Sequence, residues 1–170
     1  MIKLAPGGTA LDPDWNPLIS GSYYHLLTNK CAVAIHELET KFGIRAQLAG
    51  VFWMQGETEA GTKEGASSYK AKLVAFAQKL RKDFANPRLP FIYGRISARV
   101  PPKMIPFKNI LRAGQEAARK EIMPSFMVDT DDLPLLPDNL HFSTEAQVEL
   151  GRRFANAYIS LSKSVVTTRK

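Results

Sequence analysis

Asp138-Asn139-Leu140-His141 sets a carboxylate three residues ahead of an imidazole. A carboxylate so placed can accept the Nδ1 proton, which fixes the tautomer, leaves Nε2 free as a base and stabilises the imidazolium. A second stretch, Val51-Phe52-Trp53-Met54-Gln55-Gly56-Glu57, ends four large apolar residues abruptly in an amide, a glycine and a carboxylate. The Gln55 NH₂ group can donate to a developing oxyanion, and Gly56 lets the backbone approach a ligand closely. Glu57 either positions a substrate or, as favoured here, braces its loop by pairing with a base such as Arg95. A third stretch, Pro6-Gly7-Gly8-Thr9, follows the apolar stub Ile2–Ala5. Backbone N–H groups in a glycine turn at a strand end can form an anion-binding nest. Each stretch alone also fits an ordinary role: an exposed loop histidine, a satisfied loop amide, a plain turn.

Other polar residues carry weaker signals. Asp129, Asp131 and Asp132 could bind a divalent cation, but no matching ligand set accompanies them and a solvated loop is expected. His25 and His36 are expected on the surface of a helix, and Glu59 in solvent. Cys31 falls on an apolar face and reads as core rather than nucleophile. Trp15 either walls a sugar site or covers the core.

These residues need a scaffold. Tyr24, Leu27, Cys31, Ile35, Leu38 and Phe42 keep helical spacing, ended by Gly43. Leu48 to Met54 is a short apolar run, the pattern of a strand buried on both faces. A second helical pattern runs through Tyr69, Leu73, Phe76, Leu80 and Phe84 and stops at Asn86-Pro87. Leu89–Gly94 and Ser125–Val128 read as two more strands, with a weaker helix over 109–121 between them. A Pro-rich loop runs to His141. Thr144 with Gln147 then reads as a capping box, opening a last helix through Val148, Gly151, Phe154, Ala155 and Tyr158. Alternation of this kind implies a parallel sheet covered on both faces. Ligands bind beyond the carboxyl ends of such strands, where Gln55, Glu57, Asp138 and His141 all fall.

Composition agrees with one α/β domain over 1–160, followed by a basic tail over 161–170. The chain has 170 residues, 45% of them hydrophobic and 23% charged, enough for a proper core. The formal charge of +7 is scattered, with no basic stripe interleaved with aromatics, so nucleic acid is not an expected partner. No apolar run approaches a membrane span, and MIKLAPGG lacks the pattern of a secretory leader. One cysteine excludes an internal disulfide.

Taken together the sequence resembles the SGNH hydrolase superfamily, in its sialate O-acetylesterase-like branch, which includes the acetylxylan esterases of carbohydrate esterase family six. The likeness is carried, in order, by Gly7-Gly8-Thr9 with Trp15, by Trp53-Met54-Gln55-Gly56-Glu57, by Leu89-Pro90-Phe91, and by Leu136-Pro137-Asp138-Asn139-Leu140-His141-Phe142 with Gln147 and Gly151. Glu59 stands where this branch commonly has Asp or Asn. The resemblance implies a three-layer α/β/α fold and hydrolysis of O-acetyl groups on carbohydrates, with neither metal nor organic cofactor. It implies that Asp138 and His141 complete a serine triad, and that Gln55 and a glycine of the Gly7-Gly8 pair supply oxyanion donors. The family opens on a strand and a Gly-x-Ser turn well ahead of the Gly-Gly-Thr block, whereas six residues precede Gly7 here. Ser22, Ser67 and Ser68 do not follow a strand and do not read as a nucleophile elbow. The expectation is therefore an esterase domain with its first strand and nucleophile block missing, either a fragment, a rearranged sheet with a partner chain filling the gap, or a non-catalytic carbohydrate-binding or interaction module. A homo-oligomer is expected if another copy compensates for the missing strand.

Overall fold

The computed structural model describes the backbone of residues 1–167 and side-chain surroundings through residue 163. Helix α1 (Tyr23–Phe42) precedes strand β1 (Val51–Met54), helix α2 (Lys63–Asp83), strand β2 (Phe91–Gly94), helix α3 (Lys108–Ala118), strand β3 (Ser125–Val128) and helix α4 (Thr144–Thr167). The strands pair in parallel in the order β1-β2-β3, with Val51 opposite Phe91 and Phe91 opposite Ser125.

Alternation along the strands divides the core into two layers, since successive side chains leave opposite faces of a sheet. Trp53, Phe91 and Tyr93 pack with Tyr69, Leu73, Phe76 and Leu80 of α2 and Leu111 of α3. On the other face, Ile92 and Val128 pack with Ala146, Leu150 and Ala157 of α4, and Met54 and Phe154 lie against them. The fold is thus the three-layer α/β/α arrangement expected.

Several local expectations shift. Strands β1 and β2 are shorter than their apolar runs. Pro90 has no N–H to give a ladder, and its carbonyl instead accepts from Val51 N at 2.9 Å. Residues 2–5 form no strand, so the Gly7-Gly8 turn is not held at a strand end. The helical stripe of α1 is covered only near its start. Tyr24 and Cys31 are buried, whereas Phe42 is 68% exposed. The Tyr24 hydroxyl donates to Asp83 at 2.6 Å and its ring packs on Phe76, so α1 meets α2 there and diverges beyond. Gly43 ends α1 as expected, in the left-handed region at φ 65°. Ser143, not Thr144, caps α4: its Oγ accepts from Ala146 N at 3.2 Å. The buried face of α4 is offset from the one expected, with Val148 71% exposed. α4 continues past residue 160, and residues 168–170 of the expected tail lie outside the described ones. No described helix is long and apolar enough to cross a membrane.

Candidate active site

At the end of β1 the chain turns at Gln55-Gly56, and Gly56 adopts φ 146°, which side-chain-bearing residues rarely adopt. A Cβ there would stand 2.9 Å from Leu111 Cδ2 and 3.0 Å from Ile96 Cγ2. The glycine is thus required by close packing on the protein's own core, which corrects the expectation that it clears space for a ligand. The Gln55 carbonyl accepts from the buried Tyr69 hydroxyl at 2.8 Å and from Gln115 Nε2 at 3.4 Å. Gln115, fully buried on α3, also donates to Gly94 O and accepts from Ile96 N. Two residues to which the sequence assigned no part in the site therefore pin the carboxyl ends of β1 and β2 together. The only sequence signals were a tyrosine on the apolar face of α2 and a polar residue mid-helix in α3.

The Gln55 side chain faces the glycine turn. Its Nε2 donates to Thr9 O at 2.9 Å and to Glu59 Oε2 at 2.5 Å, while Oε1 is buried without a hydrogen-bond partner. Glu59 is 4% exposed, and its other oxygen accepts from Leu11 N at 2.5 Å. Glu59, expected in solvent, is thus the buried brace of this loop. Its signal was its place four residues after Gln55. Glu57 is not paired with Arg95, which turns instead to Asp129 and Asp131. Gly7 and Gly8 lie exposed on the turn beside Thr9.

Asp138 and His141 sit on a tight loop closed by a bridge between Leu135 and Phe142 and by Leu136 N donating to His141 O at 2.7 Å. Asn139 takes the left-handed conformation, φ 60°, as asparagine does more readily than most residues. Asp138 Oδ1 accepts from the backbone N–H groups of Leu140 and His141 at 2.9 and 3.0 Å, and Oδ2 lies 2.8 Å from His141 Nδ1. These donors, His141 foremost, hold the Asp138 carboxyl down at about 2. With Asp138 ionised, Nδ1 carries the proton and Nε2 presents its lone pair. The His141 side chain is 69% exposed, and no serine hydroxyl among the described residues bonds its imidazole.

Glu57 links the two halves. It is half-buried, and desolvation raises its pKa; the charge of Glu59 adds to this, while His141 opposes it. The imidazole is therefore within electrostatic reach of the loop after β1. Ionising Glu57 is harder in the folded chain than in the unfolded one. Its penalty is absent below the ordinary carboxylate value of 4.5 and grows as the pH rises through the elevated folded value. Glu57→Gln is accordingly expected to raise Tm at pH 7 and leave it unchanged at pH 3. Thermal unfolding at the two pH values checks this, and an equal shift at both would exclude it.

The acidic cluster stays largely exposed, as expected, at Asp129 and Asp132, but its carboxylates are taken by arginines. Asp131 takes Arg112 through both oxygens at 2.8 and 2.6 Å and accepts from Ala98 N, and Asp132 takes Arg153 at 2.7 and 2.5 Å. Among the described residues no group of His, Cys, Asp or Glu is placed to hold a metal ion. Trp15 is core: 3% exposed, edge-on to Trp53, its Nε1 donating to Thr9 Oγ1 at 2.9 Å. Cys31 is buried as expected, and burial pushes its thiol up.

Comparison with known proteins gives the family of the chain and the fold it shares. A probable carbohydrate esterase of Arabidopsis thaliana is 31% identical over 160 residues, covering 94% of this chain and 55% of its own length. The 1.6 Å crystal structure of that Arabidopsis protein superposes with a TM-score of 0.73, covering 91% of this chain and 58% of the other. A carbohydrate acetylesterase from Xanthomonas citri shares the fold, with a TM-score of 0.55 at 23% identity over 68% of this chain and 26% of that one. The chain spans about half the length of the curated relative it matches. A family model described as carbohydrate esterase, sialic acid-specific acetylesterase, matches residues 1–160, and the chain belongs to that family.

Proposed function

We propose that this chain carries the acid–base and oxyanion side of a serine-type carbohydrate O-acetylesterase, of the SGNH type, acting on acetyl groups of sugars or sialic acid. The observation that carries the reading is the Asp138–His141 pair at 2.8 Å, with Nε2 unengaged and Glu57 within electrostatic reach. His141 takes the proton of the attacking hydroxyl and returns it to the leaving sugar oxygen. Asp138 holds the imidazole in the required tautomer. Gln55 and a backbone N–H of the Gly7-Gly8 turn receive the negative charge on the acetyl oxygen, and Glu57 faces the sugar. The reading calls for no metal or organic cofactor, and no nucleophilic serine is assigned on this chain.

Acetate release from acetylated xylo-oligosaccharides and O-acetylated sialic acid by the protein tests the reading. Gln55→Ala is expected to lower kcat by roughly 10²–10³-fold, the usual loss for one oxyanion donor. Kinetics on a soluble acetyl ester measure it, and an unchanged kcat would remove Gln55 from that role. That no serine among the described residues bonds His141 favours a second reading, a non-catalytic carbohydrate-binding module. That reading predicts no acetate release and no labelling by a serine-reactive phosphonate, with binding of acetylated glycans retained.

A further inference from the structure

We propose that Glu59 is the positioning residue of this site, its buried carboxylate deciding which end of the Gln55 amide faces the glycine turn. A carboxylate offers only acceptors, whereas an amide has donors on one atom and acceptors on the other. As it stands, Gln55 Nε2 lies between Glu59 Oε2 at 2.5 Å and Thr9 O at 2.9 Å. Turning the amide over would bring three acceptors together in a buried space, which is strongly unfavourable. Glu59 therefore holds the nitrogen forward even though Oε1 is left buried without a partner.

The second oxygen of Glu59 takes Leu11 N, which ties the chain after the glycine turn to the same carboxylate. The brace rests on rigid support. Ala60, fully buried, donates to Gly56 O at 3.0 Å and accepts from Phe107 N at 3.0 Å. The two bonds of the Gln55 amide differ in consequence. The Glu59 bond is charge-assisted and anchored to the core. The Thr9 bond ends on a turn in which Gly8 takes φ 68° and a Cβ at either glycine would meet nothing within 4 Å. Gln55 can serve a developing oxyanion only by giving up the Thr9 bond, which frees one N–H while Glu59 keeps the other. The catalytic use of this brace rests on the esterase reading; the brace itself does not.

The test is side-chain and backbone amide NMR of the full chain. In the unsubstituted protein the two Gln55 Nε2 protons are expected well separated, one displaced downfield, and the Leu11 amide protected. Random-coil positions for Gln55 would overturn the proposal without any variant. In Glu59→Gln one of the two donors must face an NH₂ group. Exchange at Leu11 and at the Gln55 side chain is then expected to quicken at least about tenfold more than at the Tyr93 amide in β2, the sign of a lost local bond. Acceleration equal to that of Tyr93, or none, would overturn it. In the acetyl-ester assay, Glu59→Gln is expected to lower kcat on the order of 10²-fold with KM within about twofold. An unchanged kcat overturns the positioning role, whereas a complete lack of turnover in the unsubstituted protein defeats the esterase reading and leaves the brace to be judged by exchange.

Discussion

Replacing His141 by alanine is expected to lower kcat for acetyl-ester hydrolysis on the order of 10⁴-fold or more, with KM little changed, because triad members act as a unit. The side chain is 69% exposed and bonds only Asp138, so its removal leaves the core untouched. Asp138→Asn gives the sharper version. Leu140 and His141 donate their backbone N–H groups to Asp138 Oδ1. An asparagine there keeps its oxygen toward those donors and turns its NH₂ on His141 Nδ1. The imidazole must then carry its proton on Nε2, the wrong tautomer for a base. The expected loss is again on the order of 10⁴-fold. Acetate release by the protein, with circular dichroism to confirm the fold, measures both. A loss under tenfold in His141→Ala would remove His141 from the chemistry.

The largest expected effect on stability lies at Arg81, which among the described residues pairs with carbonyls and not with a carboxylate. It is 8% exposed on α2 and donates to Leu89 O from Nε and Nη2, to Met123 O from Nη1, and to Ile122 O and Pro124 O from Nη2. Burial lowers its pKa, as expected for a desolvated cation. The four carbonyls belong to the segments that enter β2 and β3, so one guanidinium sets where both strands begin. Arg81→Met keeps much of the apolar stem and takes its donors from Leu89 O, Ile122 O and Met123 O, while Pro124 O keeps the N–H of Phe91 at 3.3 Å. At 1–3 kcal/mol for each unsatisfied buried group, partly relieved by water, a destabilisation on the order of 4 kcal/mol is expected. That corresponds to a fall in Tm of roughly 10 °C for a chain of this size. Urea and thermal unfolding measure it, and a change under about 1 kcal/mol would show that water replaces the clamp at little cost.

The layers were legible because they follow from periodicity. The short apolar runs that become β1 and β2 and the spacing of Tyr69, Leu73, Phe76 and Leu80 require only that apolar surface leave water. The Asp138–His141 pair was legible for a related reason: three residues in one tight loop keep both side chains within reach whatever the rest of the chain does. Contacts between distant segments follow no such rule. Arg95 looked available to Glu57, but the fold brings Asp129 and Asp131 to it, and the acidic loop is tied down by three arginines from separate elements. Glu59 reads as a surface carboxylate by composition. The approach of Leu11 N, 48 residues away, together with the Gln55 amide, makes its burial tolerable. Gly56 carries the same lesson, since its need for no side chain comes from Leu111 and Ile96 on later elements. Local patterns thus specified the elements and the loop that holds the imidazole. How Gln55 is aimed depended on long-range partners, because a hydrogen bond between remote segments exists only after the core has brought them together.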